Sequence, residues 1–475
     1  MLLRKASLPQ WLSVVVAVAL WGASTVVHGQ PGFAIVLPVL AAALIAGGFF
    51  WALRERAEDG LLGDLGAIYT AFLLAYTIVP AFTFLILELD LASGWAWSTL
   101  TQLLPDDSEL GVHLWRHVLY IFGFCASYLY LRKPVGHLVP PSGGPPWDGS
   151  GLILPFVAVL VICNLLLGLL SAPVEEYIDH YTRYDHLSSS LRALVSLILR
   201  VESGLFLVVL TIVFMNFRRY GALGLLLTVG ALLFKVLNSM GSRIESLFVL
   251  LAAVCLYQHY VHRISVGKAV AGALAAGALF TALEVLREVG FDLGSAVDLL
   301  VAQGVQPAAE FGAVFLTSFH LYTERASGTL PPTEWPMFFS DFVSLVMPNS
   351  FVRYSPQYWY ADYYFPMAVV PPQTNGPIAD SAVWGGEADL LIRSVLNGLL
   401  FAWLTNYFHG RKRDWRVACV YVFCFSTSIM TIKYSIFYHL NPIVKTVLPA
   451  IIGVSILRRL VPRRRGAAAS PLAAR

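Results

Sequence analysis

The side chains of this chain able to do chemistry are its few charges, and most of the informative ones are cations in or beside apolar runs. The stretch NSMGSRIESLF, 238–248, places Arg243 and Glu245 between the runs FKVL and FVLLAAVCLY. If a helix starts early there, Ser242, Arg243 and Ser246 share a face by i, i+3, i+4 spacing, whereas Arg243 and Glu245 at i, i+2 do not meet. Arg243 therefore needs a partner from another element or an anionic ligand, with snorkelling to lipid headgroups as the competing reading. Arg200 and Glu202 stand within another apolar run, where a charge marks either a structural ion pair or a site. Lys433 and Lys445 divide between snorkelling and phosphate binding. Late in the chain come Arg353, Arg393, His320, Asp380 and Glu387, with the aromatics Tyr358, Trp359, Tyr360 and Trp384. Arginine's planar fork suits phosphate oxygens better than lysine's point charge. Tyrosine and tryptophan suit the mixed surface of a sugar, although an interfacial aromatic belt would use the same residues. Together these cations, carboxylates and aromatics suggest a lipid-linked phosphate substrate bearing sugar, with Arg243 first, then Arg353 and Arg393, as candidate phosphate partners and Arg200 extending the cluster inward.

What must position these residues is a membrane. The chain has 475 residues, 57% hydrophobic and 13% charged, with a mean hydropathy of +0.69. A soluble fold of that length could not hide so much apolar surface. The apolar residues fall in blocks of about twenty, enough to cross ~30 Å of hydrocarbon, without the alternation of a transmembrane barrel. The fold class expected is an all-α polytopic integral membrane protein of about twelve transmembrane helices, at 11–27, 31–52, 65–87, 112–131, 151–172, 191–217, 221–240, 243–261, 267–286, 389–408, 414–432 and 442–460. Arg4 and Lys5 before the first run fit a signal peptide, but the next run starts at Pro31, and an uncleaved first helix is expected.

The basic residues then set the orientation. Arg4/Lys5, Arg54/Arg56, Arg132/Lys133, Arg218/Arg219, Arg263/Lys268, the cluster 411–416 and the run 458–465 fall in alternate connections. Both termini are expected in the cytoplasm, with the basic-poor connections outside. Residues 1–286 form an N-terminal bundle of about nine helices, 287–388 a periplasmic cap of short amphipathic or re-entrant helices, and 389–475 the last helices and a basic tail. The outer bias of the charges points to a cavity open to the outer leaflet. A proton-coupled carrier more often sets carboxylates near the midplane. A net charge of +3 without a basic, aromatic-interleaved patch gives no sign of nucleic acid. The five cysteines all fall inside expected spans and read as small buried residues, and no metal-ligand spacing occurs.

Four features carry a resemblance: some twelve spans, NSMGSRIESLFVLLA with Gly-Ser-Arg at a helix start, the large outer loop, and PPQTNGPIADSAVWGGEADLLIRSVLNGLLFAWL running from that loop into a span. Over roughly residues 150–460 the chain resembles bacterial oligosaccharide repeat-unit polymerases of the O-antigen polymerase, or Wzy, type, and a GT-C-like architecture would be compatible. The resemblance implies a metal-independent glycosyltransferase of the inner membrane, without cofactor, in polysaccharide biosynthesis of the O-antigen or exopolysaccharide kind. Its donor and acceptor would be undecaprenyl-pyrophosphate-linked oligosaccharides, and its partners the bilayer and a chain-length regulator protein. The base for the glycosyl transfer that the resemblance implies would be Glu387 before Asp380 before His320, because Glu387 follows the flexible Gly385 and Gly386 and precedes an apolar run. The alternatives are an O-antigen ligase-type transferase, a metal-dependent sugar transferase using Glu88 and Asp90, and a flippase or exporter of the lipid-linked oligosaccharide.

Overall fold

A computed structural model of the chain describes residues 31–57, 60–86, 107–134, 151–172, 183–238, 243–265, 307–333, 376–434 and 440–460, with isolated positions between them. The side chain of Arg243, and the whole of Arg353, Tyr358 and Tyr360, lie outside the described residues, as do the expected span at 267–286 for the most part and the Glu88/Asp90 pair.

Every regular element among the described residues is helical. In order they are α1 (Pro31–Arg54), α2 (Leu65–Ile86), α3 (Asp107–Leu131), α4 (Ile153–Leu170), α5 (Ser189–Met215), α6 (Phe217–Asn238), α7 (Arg243–Tyr260), α8 (Pro307–Ser327), α9 (Pro377–Trp384), α10 (Glu387–Gly410), α11 (Trp415–Ser426), α12 (Met430–Lys433), and α13 (Leu448–Leu460) preceded by a π-helical turn at Ile443–Val447. Among the described residues, six helices, including Ala34–Arg54, Ser189–Met215 and Leu440–Leu460, are long and apolar enough to cross a membrane. The molecule is an all-α membrane protein. The expected span 112–131 falls in α3, which is less apolar than those six because it carries His113, Arg116, His117 and Ser127 toward its neighbours. The expected span 414–432 is broken. Hydroxyls in the run Ser-Thr-Ser at 426–428 bond back to the carbonyls of Phe423 and Phe425, which ends α11 and lets α12 restart at Met430.

Small residues let the helices approach, as membrane helices without a hydrophobic drive between them require. Gly123 and Ser127 of α3 face Ser394 and Gly398 of α10, so that a Cβ on either glycine would overlap the opposite serine hydroxyl. All five cysteines are buried thiols.

The connections rich in basic residues meet at one end of the bundle. Arg132 Nε donates to Asp64 Oδ2 at 3.1 Å, and Arg56 donates to the carbonyls of Leu129 and Arg132. Lys133 N donates to Asn406 Oδ1 (3.0 Å), and the Tyr260 hydroxyl to Lys412 O (2.7 Å). Asn216 Nδ2 donates to Trp147 O, and the Arg458 guanidinium lies 5.0 Å from the Trp147 ring centroid. Connections that alternate along the sequence therefore share one end in space, which is what a membrane-crossing bundle demands.

Candidate functional site

Counting back from that shared end places the cations. Arg116, Arg200, Arg243, Arg393 and Lys445 stand about 13–17 residues, or ~20–26 Å at ~1.5 Å per residue, from Arg132, Asn216, Tyr260, Asn406 and Arg458 on the same five helices. They occupy one layer at the opposite end. α5 begins eleven residues before Arg200 and projects beyond that layer, so a position that looks deep in the helix is level with the starts of α7 and of the last helix. Within the layer the candidates divide into two groups.

Arg200, in the first group, borders a cavity of about 930 Å³ between α4, α5, α6, α7, α11 and the last helix. Its walls are apolar, with Leu160, Phe206, Phe248 and Phe423 among them. Arg192, Arg200, Glu202 and Glu245 are among the residues that border it, with Glu202 buried and both arginines exposed. Arg192 Nη1 lies 3.8 Å from Asp185 Oδ1 in an exposed pair. Arg200 makes no ion pair among the described residues. Lys445 is near enough to Arg200 for the two charges to act on one another, and its Nζ donates to Met347 O at 2.7 Å. The π-helical turn that carries Lys445 presses Thr446 against Gly204 of α5, where a Cβ would meet the Thr446 carbonyl oxygen at 2.9 Å. Inserted turns of this kind re-aim side chains and recur at functional sites.

The second group surrounds α9. Gly376 stands before that helix because a Cβ there would overlap the Ile432 carbonyl oxygen, and Pro377 supplies the preset first turn. Gly386, at φ +64°, turns the chain from α9 into α10. Arg393 Nε donates to Asp389 Oδ2 at 2.7 Å and its Nη1 to Asp380 Oδ2 at 3.3 Å. Asp380 is buried. Glu387, the first residue of α10, accepts from Arg116 Nε at 2.9 Å with 58% of its side chain exposed. Arg116 also lies 4.0 Å from the centroid of the Tyr322 ring. Ser381 donates to Ile378 O, so the Tyr322 hydroxyl donates to Ser381 Oγ at 2.8 Å. Burial pushes the Tyr322 phenol up to about 12, which keeps it a donor. Arg325 Nη1 donates to Ala382 O.

His320 is buried on α8, its Nε2 3.3 Å from Glu324 Oε1. Burial lowers its pKa, against the opposing pull of Glu324. The same helix docks on α3 through histidines the sequence reading did not single out. Ser318 donates to Phe315 O, so His113 Nε2–H donates to Ser318 Oγ (2.9 Å). Thr77 donates to Leu73 O, so His117 Nδ1–H donates to Thr77 Oγ1 (3.1 Å). Trp384 and Trp359 pack against the margin of the core.

The structure thus brings Asp380, Glu387, Arg393 and Trp384 together, and Arg200 and Lys445 together, as two neighbouring groups. α12 stands between them: Met430 lines the cavity, while the Ile432 carbonyl meets Gly376 at the start of α9. Lys433 is buried on that same turn. Glu202 and Glu245 in the cavity wall were not among the expected bases. The signal that could have found Glu202 is its position inside an apolar run. No protein-family model, curated protein or solved structure matches the chain.

Proposed function

We propose that this protein is a membrane glycosyltransferase that polymerises lipid-linked oligosaccharide repeat units, releasing a polyprenyl diphosphate. The observation that carries the reading is Arg200: an exposed arginine that borders an apolar cavity, without a carboxylate partner among the described residues, and with Lys445 near enough for the two charges to act on one another. An unpaired cation at the edge of apolar walls suits an anion that carries an apolar tail. A diphosphate attached to an isoprenoid answers both halves of the site. The chain lies along the apolar walls, and the phosphates meet Arg200, Lys445, Arg192 and the start of α7 at Arg243.

On this reading the chain crosses the bacterial inner membrane about twelve times, with both termini cytoplasmic and the cation layer at the periplasmic face beneath the 287–388 cap. The donor is a growing glycan on undecaprenyl diphosphate, and the acceptor a single repeat unit on the same carrier. Negative charge gathers on the leaving diphosphate, and preorganised cations in a low-dielectric cavity stabilise it strongly. Arg393 and Arg116 act one step removed. Their donors hold Asp380, Asp389 and Glu387, which fixes α9 and the start of α10 to each other and to α3. A carrier for the same lipid would want free cations in both halves of the membrane, whereas the buried Arg132 at the other end is held by Asp64.

The test is to incubate purified protein with a synthetic undecaprenyl-diphosphate repeat unit. A ladder of products one repeat apart is expected, with undecaprenyl diphosphate released. Transfer only to a lipid A core acceptor would assign the ligase reaction instead. No transfer to either acceptor would remove the transferase reading.

A further inference from the structure

The proposed transfer needs a base, and the carboxylates nearest to hand in the sequence are occupied. Asp380 is buried against Arg393, and Glu387 is held by Arg116. The cavity itself offers Glu202. It sits two residues after Arg200 on α5, ~3 Å further along the helix axis. The residue is 8% exposed, and it lines the cavity together with Ser203. Ser203 Oγ donates to Glu202 Oε2 at 3.2 Å, and Glu202 makes no ion pair among the described residues. A carboxylate on a membrane-spanning helix with a single hydroxyl partner is expensive to keep, and such residues mark function far more often than packing. Its position suits a base: it borders the same cavity as Arg200, and a hydroxyl holds one of its oxygens in place.

We propose that Glu202 is the general base of the transfer, an assignment that rests on the polymerase reading above. The acceptor's sugar hydroxyl gives its proton to the Glu202 carboxylate. The freed oxygen pair forms a bond to the anomeric carbon of the donor glycan. The bond from that carbon to the diphosphate oxygen breaks, and its electron pair leaves on the diphosphate beside Arg200 and Lys445. The protonated Glu202 then returns its proton to water or to the departing diphosphate, and the carboxylate is restored.

The test uses the full-length protein, purified and supplied with the synthetic undecaprenyl-diphosphate repeat unit. Glu202→Gln keeps the shape and removes the basicity. It is expected to lower the elongation rate about 10²–10⁴-fold, the usual worth of a general base, while half-saturation by the repeat unit stays within about threefold. Glu202→Ala is expected to be equally slow and to recover part of its rate when formate is added, since a small carboxylate can occupy the vacated space. A structural role would not respond to formate. Elongation by Glu202→Gln within about threefold of the unsubstituted protein overturns the assignment and leaves the polymerase reading standing. Failure of both variants to fold, or an Ala variant that formate does not rescue, also overturns it. If the unsubstituted protein builds no ladder, the polymerase reading falls and takes this assignment with it.

Discussion

Arg132 and Arg200 are the same residue type in the same bundle, at opposite ends of it by helix rise, and their surroundings differ completely. The Arg132 side chain is 0% exposed and its partner Asp64 1%. Asp64 Oδ2 accepts from Arg132, and Oδ1 accepts from the Tyr128 hydroxyl (2.6 Å) and Gly66 N (3.1 Å). Arg132 also donates to Asn406 Oδ1 and to the Lys133 carbonyl. Arg200 is exposed, borders an apolar cavity and has no such company. A buried ion pair whose hydrogen bonds are supplied from within the fold is structure. An exposed arginine that borders an apolar cavity without a partner is open to a ligand. Burial and the accounting of partners, not the residue type, separate the two.

The comparison can be broken at either arginine. The largest effect is expected at the paired one. Arg132→Ala strands the Asp64 carboxylate in the interior, and losing one member of a buried pair costs about 3–5 kcal/mol. Thermal unfolding of the purified protein should show a large drop, much of it recovered in the double variant Arg132→Met, Asp64→Leu, which removes both charges. A double variant no more stable than Arg132→Ala would contradict the structural role. Arg200→Ala is expected to leave the unfolding temperature near that of the unsubstituted protein and to slow elongation about 10²–10³-fold, the range for losing a preorganised donor to a developing anion. An unfolding defect as deep as that of Arg132→Ala would erase the distinction between the two arginines. Arg200→Lys keeps the charge and loses the fork, so its rate should fall by about tenfold, ~1.4 kcal/mol. The smallest effect belongs to Glu387→Gln. That pair is exposed, and exposed pairs are worth ~0.2–1 kcal/mol, so both stability and elongation should change little. Elongation abolished by Glu387→Gln would restore Glu387 as the base in place of Glu202.

Much of the frame was legible because hydropathy is a one-dimensional property. Blocks of about twenty apolar residues and alternating basic connections are visible without knowing which helices touch. Asp389 and Arg393 could also be read, since an i, i+4 pair needs only one helix. Asp380 as the second partner of Arg393 could not, because it requires the Gly385–Gly386 turn to fold α9 back on α10. The level of Arg200 was misleading for a similar reason. Counted within its own helix it looks deep, and only the packing of α5 against later-starting helices places it near Lys445. The cavity carboxylates Glu202 and Glu245 escaped notice as bases because which faces meet around a cavity is a tertiary fact. The break after Ser426 was hidden by hydropathy that continues across it, although the hydroxyl run itself was in plain view.

The central claim is that Arg200 is there for a diphosphate on a lipid, and equilibrium binding tests it most directly. Purified protein and its Arg200→Ala variant would be titrated with undecaprenyl diphosphate and with undecaprenol, which shares the chain and lacks the phosphates. The unsubstituted protein should prefer the diphosphate by at least about tenfold, and the variant should bind the two alike. Equal affinity for both lipids in the unsubstituted protein, or an undiminished preference in the variant, would contradict the account.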